Sequence, residues 1–310
     1  MPSCEIILAT YNGERYIGAL LDSLLDQNTQ DFSLLVRDDG SNDSTVALLN
    51  SCKRRFGSRM RLMPEGVATG SPTKNFAILM AETTADFILF CDQDDVWLPN
   101  RVAATVSLLT QAERQHGKDC PIFAFNDLIP VDAALKPLSD SFWRFKKIAP
   151  GNASNLAKSI LTTSILGCSS GINRALAQKS LPISPKATNH DWWALHVAAL
   201  FGAVVWSAEK TVLYRLHGSN ASNQTKVSWA GYLKRRDKSN AVKRGLIKKS
   251  EHIGGLLSAY EETMPHDKKV LLQAFCNLQN LGFFKRRFSI LKWGFLYPDA
   301  LRSLLFLIKV

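Results

Sequence analysis

The first half of the chain alternates between short apolar runs and segments with helical spacing. EIILAT (Glu5–Thr10) is of strand length, and Ile17, Leu20, Leu21, Leu24 and Leu25 then recur on one helical face. The alternation continues with FSLLVRD before VALLNSCKRRF, MRLMPE before PTKNFAILMAET, and DFILFCD before LPNRVAATVSLLTQAE. It predicts an α/β fold with a mostly parallel sheet flanked by helices, because parallel neighbours need a crossover and the crossover helix covers the sheet. Asp43 or Ser44 is expected to cap the second helix, and Pro72 to lie in the first turn of the third. In such sheets ligands bind at the carboxyl ends of the strands. The polar residues gather there: Thr10-Tyr11-Asn12, Asp38-Asp39-Gly40-Ser41, and Asp92, Asp94 and Asp95.

Beyond about Pro130 the pattern loosens. SFWRFKKIAPGN reads as a loop or lid, LGCSSGINRAL as a short strand, a small-residue turn and a helix start, NHDWWALHVAALFG as a helix, and TVLYRLHGSN as a strand ending in a polar turn. The rest reads as helical and basic. Charge sharpens this division. Residues 1–225 carry 21 Lys+Arg and 21 Asp+Glu, whereas residues 226–310 carry 17 and 6, so the whole net charge of +11 lies in the last part. Two units are expected: a balanced functional core over 1–225 and a basic helical extension over 226–310. No nucleic-acid-binding motif accompanies the basic charge, and no nucleic-acid partner is expected.

The six cysteines are scattered without a C-x-x-C pair, and Met1 leads directly into a strand-like run rather than a basic and apolar leader. Both features predict a cytoplasmic protein with reduced thiols. No apolar run reaches the roughly 20 residues needed to span a bilayer.

The acids at the end of FILFCDQDD have three readings: a solvated turn, a salt-bridged cap, or a site for a hard cation such as Mg²⁺ or Mn²⁺. The apolar strand before them and the VWLP after them put the acids at the mouth of the sheet, which favours the cation. Asp39, ending a second strand of that sheet, is placed to accept a hydrogen bond from a base or ribose while Asp94 holds the metal. Taken singly, other residues have plainer readings: His217 as a structural histidine, Asp191 as an acid favoured by a helix N-terminus, and Trp192 and Trp193 as core.

Together the segments ILATYNGERYIGALLDSLLDQ, RDDGSNDST, FCDQDDVWLPNRV, LGCSSGINRAL, NHDWW and YRLHGSN, spanning roughly residues 4–220 in order, resemble the family 2 glycosyltransferases, whose fold is of the GT-A type. The Asp-Gln-Asp-Asp, His-Asp-Trp-Trp and Tyr-Arg-x-His-Gly forms are similar to the bacterial rhamnosyltransferase-like branch of cell-surface polysaccharide assembly. LGCSSGINR departs from the bulkier loop of that branch. The resemblance implies that Thr10 and Tyr11 lie along the nucleotide and that Asp39 binds the base. It places Asp92 at the ribose or metal shell, Asp94 on Mn²⁺ or Mg²⁺ between two phosphates, and His217 completing that shell. It makes Asp191 the general base, sets Gly167 to Gly171, with Ser170, beside the donor sugar, and leaves Trp192 or Trp193 to stack on the acceptor.

The implied reaction is inverting transfer from a nucleotide-diphosphate sugar, dTDP-L-rhamnose or else a UDP-hexose, to a hydroxyl of a cell-surface glycan or lipid-linked acceptor. Two alternatives stand beside it. DQDDV also fits the D-x-D-x-[TV] of haloacid-dehalogenase-like phosphatases, with Asp92 as nucleophile, although that motif normally opens its domain. A non-catalytic nucleotide-sugar-binding module is the other. The basic extension, with Trp229, Tyr232, Trp293, Phe295 and SLLFLIKV, is expected either to cap the core or to touch the anionic inner face of the cytoplasmic membrane.

Overall fold

A computed structural model describes residues 2–162, 165–217, 238–297 and 299–310. The alternating half folds as β1 (Cys4–Thr10), α1 (Ile17–Leu25), β2 (Ser33–Asp38), α2 (Thr45–Phe56), β3 (Met60–Leu62), α3 (Pro72–Glu82) and β4 (Phe87–Asp92). These strands lie in the order β3-β2-β1-β4 and pair only in parallel. Local signals set the helix starts. Asp43 accepts from the Thr45 N–H at 2.9 Å, and Ser71 caps α3, whose first residue is Pro72.

The remaining strands turn the sheet mixed. β5 (Val96–Trp97), α4 (Arg101–His116), β6 (Ile122–Val131), α5 (Phe142–Lys146), α6 (Leu156–Leu161), β7 (Ser170–Asn173), α7 (Arg174–Ser180), α8 (His190–Phe201) and β8 (Ala203–Arg215) follow in the chain. The sheet continues β4-β7-β6-β8-β5, with β7 antiparallel to both neighbours, β6 and β8 parallel, and β5 antiparallel to β8. The two-residue strand β5 matters most for the site. Pairing Val96 with Leu213 and Trp97 with Val212 sets Asp94 and Asp95 beside Arg215 and His217, some 120 positions away in sequence.

Two segments correct the expectations. SFWRFKKIAPGN is no open lid: Phe142 and Trp143 of α5 are buried. Asp127 fixes them there by accepting from the Ser141 hydroxyl at 2.5 Å and the Trp143 N–H at 3.2 Å. In the extension, Phe295 is fully buried against Phe275 and Trp293 is half-buried. Trp229 and Tyr232 lie outside the described residues.

The extension comprises α9 (Lys238–Ala259), α10 (His266–Asn277), α11 (Phe283–Trp293) and α12 (Ala300–Lys309). Its apolar side chains join the same core as the sheet. The joint is α8, whose residues from His190 to Leu200 are all buried, the mark of a helix enclosed on every side. There His252 Nδ1 accepts from the Thr188 N–H at 3.0 Å, and its Nε2 lies 2.9 Å from His196 Nδ1. Because Nδ1 of His252 accepts, its Nε2 carries the proton and donates to His196. Burial pushes both imidazoles to lower pKa, with the Lys249 ammonium adding to the shift, so the pair is neutral. Among the described residues no helix is long and apolar enough to cross a membrane.

Candidate active site

The candidate site is built from the ends of β1, β2 and β4, the start of α8 and the end of β8. At β1, the Thr10 hydroxyl donates to Asp38 Oδ1 at 2.7 Å and is buried. It therefore fixes the neighbouring strand end and offers nothing to a ligand, while Tyr11 beside it is 56% exposed. The Gln93 amide clamps Tyr11 from below, accepting from its N–H at 2.9 Å and donating to its carbonyl at 2.8 Å. These two hydrogen bonds tie the β1 loop to the β4 loop.

At β2, Asp38 accepts from the Gly40 and Ser41 N–H groups and from the Ser41 hydroxyl, closing a turn through Gly40 at φ +85°. Asp39 is buried and fully engaged. Oδ1 accepts from Arg37 at 2.8 Å and the Thr69 N–H at 2.7 Å; Oδ2 accepts from the Thr69 hydroxyl and the Gly70 N–H, each at 2.9 Å. Burial works to raise its pKa, but the Thr69, Arg37 and Gly70 donors outweigh it, and the carboxyl titrates below its ordinary value. A base reaching Asp39 must compete with the loop over residues 67–71.

The end of β4 is different. Asp95 is fully buried, its Oδ1 accepting from the Arg215 N–H at 2.9 Å while Oδ2 has no hydrogen-bond partner among the described residues. Burial, with the charges of Asp94 and Asp92, pushes its pKa well up. Asp92 is raised to about 8 by burial and by the charges of Asp94 and Asp191. Asp94 Oδ2 lies 2.9 Å from His217 Nε2, and Arg215 Nε donates to the Asp94 carbonyl at 2.8 Å. Tyr16 backs this corner, its ring stacked on His217 at 4.9 Å with the Arg215 guanidinium 4.6 Å from its centre.

A cation fits this cluster chemically. Crowded carboxylates with too few donors are what a dication relieves. Ligand atoms of Asp92, Asp95 and Cys168 lie within 4.8 Å of one another. However, burial holds the Cys168 thiol protonated, and a hard ion prefers oxygen. The Asp92 and Asp94 carboxylates are the donors that suit Mn²⁺ or Mg²⁺, with the His217 imidazole beside Asp94.

Asp191 opens α8 and faces the same cluster. Its Oδ1 accepts from the Trp192 N–H at 2.8 Å, and burial, against the Trp192 and Gly167 N–H groups, raises its pKa to about 6. Desolvation outweighs the helix dipole in setting this value, yet a carboxyl at about 6 remains largely ionised at neutral pH. Gly167 leaves little room beside the site, since a Cβ there would sit 3.2 Å from His190 Nε2 and 3.6 Å from Asp191 Oδ2. His190 stacks on Phe76 with centroids 3.8 Å apart, and its burial lowers its pKa to about 3.

Three expected ligand contacts do not fit. Ser170 is fully buried, its hydroxyl donating to the Leu166 carbonyl at 2.8 Å. Trp193 is fully buried and donates to the Ser180 carbonyl at 2.8 Å. Trp192 is buried under the Lys249 ammonium, 4.3 Å from its ring centre. Both indoles anchor α8, and neither offers a sugar platform. Sequence reasoning missed Gln93, Tyr16 and Arg215. Gln93 stood inside the acidic motif and Arg215 in YRLHG, but their partners are distant in sequence; Tyr16 carried no signal.

A family model described as Glycosyl transferase family 2 matches residues 5–128. Over this segment the chain is similar to glycosyl transferase family 2. The chain is 31% identical over 105 residues to the dTDP-rhamnosyl transferase RfbG of Shigella flexneri, covering 33% of this chain and 36% of the relative. It is 33% identical over 106 residues to WfgD of Escherichia coli, named a UDP-Glc:alpha-D-GlcNAc-diphosphoundecaprenol beta-1,3-glucosyltransferase, covering 34% and 40%. Both matches span less than half of the relative. Among solved structures, Staphylococcus aureus TarS 1–349 in complex with UDP-GlcNAc superimposes with a TM-score of 0.58 at 17% identity, over 98% of this chain and 86% of that one. The mannosyltransferase PcManGT of Pyrobaculum calidifontis, in complex with GDP-Man and Mn²⁺, gives 0.56 at 15% identity, over 94% and 73%. These likenesses show a GT-A glycosyltransferase fold.

Proposed function

We propose that this chain is a metal-dependent, inverting glycosyltransferase that moves a sugar from a nucleotide diphosphate to a hydroxyl of a cell-surface glycan or lipid-linked acceptor. The observation that carries the reading is the convergence of Asp92, Asp94 and His217 with Asp191 at the carboxyl end of β4. Tyr11 and Asp39 line the nucleotide side, with Asp39 meeting the base once the 67–71 loop yields. Asp94 and His217, with Asp92 beside them, hold the cation, which supplies stabilisation of the departing diphosphate. Asp191 takes the proton of the acceptor hydroxyl; a carboxyl with pKa about 6 is ionised near neutrality yet basic enough for that transfer. Direct displacement on the face opposite the leaving group inverts the anomeric carbon.

Residues 1–225 form the transferase part in this reading, and 226–310 an accessory extension that positions it in the cytoplasm, at the inner membrane face when the acceptor is lipid-linked. We propose dTDP-L-rhamnose as donor with a UDP-hexose second, since RfbG and WfgD match this chain to a similar degree. The phosphatase alternative needs Asp92 in a motif that opens its domain, whereas Asp92 here ends the fourth strand of the chain, which argues against it. The test is release of free nucleotide from dTDP-rhamnose, UDP-glucose and UDP-GlcNAc at equal concentration with Mn²⁺. Selective release from a nucleotide sugar that rises with a glycan acceptor supports the reading. Phosphate release from simple phosphomonoesters without nucleotide release overturns it.

A further inference from the structure

The extension buries one side of α11 and α12 and leaves the other bare. On α11, Phe283, Phe284, Phe288 and Leu291 are 59%, 83%, 70% and 56% exposed, while Ile290 is fully buried. At 100° per residue the four exposed residues share one stripe, opposite the one that carries Ser289 and Trp293. On α12 the inward face is Ser303, Phe306 and Val310, and the outward residues Leu301, Leu304 and Ile308 recur at i, i+3 and i+7. The two stripes adjoin. Arg287 Nη1 donates to the Phe283 carbonyl at 2.9 Å and Nη2 to the Ile308 carbonyl at 3.2 Å, so one guanidinium staples the two helices at the patch. Such an apolar face on a water-soluble surface marks an interaction site.

Charge says what covers it. Residues 278–310 contain six cations, Lys285, Arg286, Arg287, Lys292, Arg302 and Lys309, and one acid, Asp299. Asp299 is committed to capping α12 through the Arg302 N–H at 2.8 Å. A second copy of the chain would bring the same cations against these and repel them, whereas an anionic bilayer matches both the charge and the apolar stripe. Long Lys and Arg side chains rimming bulky apolar residues suit the headgroup boundary, with the stems in the apolar layer and the charges among phosphates.

We propose that the α11–α12 face, with Phe284 and Phe288 at its tip and Lys285, Lys292 and Arg302 at its rim, seats the protein on anionic phospholipid at the bilayer surface. This deepens the reading above, since a lipid-linked acceptor is then presented at the surface on which the enzyme rests. It relocates membrane contact from Trp293 and Phe295, which pack inward, to side chains already facing out.

The experiment is co-sedimentation of the full chain with phosphatidylcholine vesicles with and without phosphatidylglycerol, for the wild type, Phe284→Ser/Phe288→Ser and Lys285→Glu/Lys292→Glu. The wild type is expected to pellet with the anionic vesicles, to stay in solution with the neutral ones, and to be released by salt. Each double variant is expected to lose binding by about tenfold or more, with an unchanged melting temperature because the substituted side chains are exposed. Equal pelleting of wild type and variants overturns the proposal. So does equal binding to neutral and anionic vesicles, or a concentration-dependent dimer abolished by Phe284→Ser/Phe288→Ser without vesicle binding. Nucleotide release with a water-soluble acceptor is measured alongside. Its retention without vesicle binding ends the membrane proposal alone, and vesicle binding without any nucleotide release ends the transferase reading alone.

Discussion

Two strands of one sheet, separated by β1, each lead into a group of aspartates, and the two groups are in opposite electrostatic states. At β2, Asp39 meets four donors and its pKa falls below the ordinary 3.8. At β4, Asp95 keeps a buried oxygen without a hydrogen-bond partner among the described residues, and Asp92 rises from 3.8 to about 8. Both groups are crowded, and each has one buried member, Asp39 and Asp95. The difference is donors: Arg37, Thr69 and Gly70 supply them at β2, whereas at β4 the nearest groups include further carboxylates, Asp94 and Asp191. The β2 end is therefore a finished turn, and the β4 end is unbalanced until positive charge arrives. A fold holds such an imbalance where function needs it and compensates with stability elsewhere.

The largest expected effect breaks the β4 side. Asp94→Ala should reduce transfer by about 10³-fold or more and abolish the rise in melting temperature given by Mn²⁺ with nucleotide. Full activity in excess chelator would show that the β4 acids are balanced by something other than a cation. Next is Asp191→Asn, which keeps the shape of the side chain and removes the base. Turnover should fall by ~10²-fold or more with donor affinity nearly unchanged, and retention at the anomeric carbon of the product would contradict a direct displacement with Asp191 as base.

A smaller effect probes the β2 side. Asp39→Asn turns an amide NH₂ towards donors that need an acceptor. Urea unfolding should register a loss of roughly 1–3 kcal/mol, together with weaker donor binding as the 67–71 loop loosens. Unchanged stability would show that the four hydrogen bonds do not hold that loop.

The gentlest test is pH, where the two ends should pull in opposite directions. Asp191, ordinarily 3.8 and raised to about 6, binds a proton more tightly when folded. Its contribution is fully present below about pH 4 and lost as pH rises through 6. Asp92 acts likewise up to about pH 8. Asp39, with its lowered pKa, contributes above pH 3.8, and that contribution is lost as pH falls through its folded value. Metal-free protein should thus lose thermal stability from pH 4 towards 8, and Asp191→Asn should flatten the slope between 4 and 6. Turnover should run the other way, falling below about pH 6 as the base is protonated. Parallel pH profiles for wild type and Asp191→Asn would remove Asp191 from both accounts.

The alternating half, its strands and the positions of Asp39, Asp92 and Asp94 were legible in the chain because apolar periodicity and turn residues are local, and an acid after an apolar strand has nowhere to go but the sheet's end. The family resemblance followed from the order of those motifs. What the chain could not disclose was which polar side chains are consumed by the fold. Thr10, Ser170, Trp192 and Trp193 each sit in a functional-looking motif, yet each spends its polar atom or its surface on packing: Thr10 on Asp38, Ser170 on the Leu166 carbonyl, Trp193 on Ser180, Trp192 under Lys249.

By itself, then, the sequence determined the parallel half-sheet, the acids at its mouth and the basic balance of the last 85 residues, all carried by short-range pattern or composition. Tertiary structure alone decided the rest. Pairing β5 with β8 brought His217 to Asp94 from 123 positions away, enclosure of α8 set the pKa of Asp191 against its helix dipole, and packing chose Phe295 for the core and Phe284 for the surface. The physical reason is common to the three: desolvation and partner geometry depend on what the rest of the chain places alongside a residue, and no local pattern encodes that.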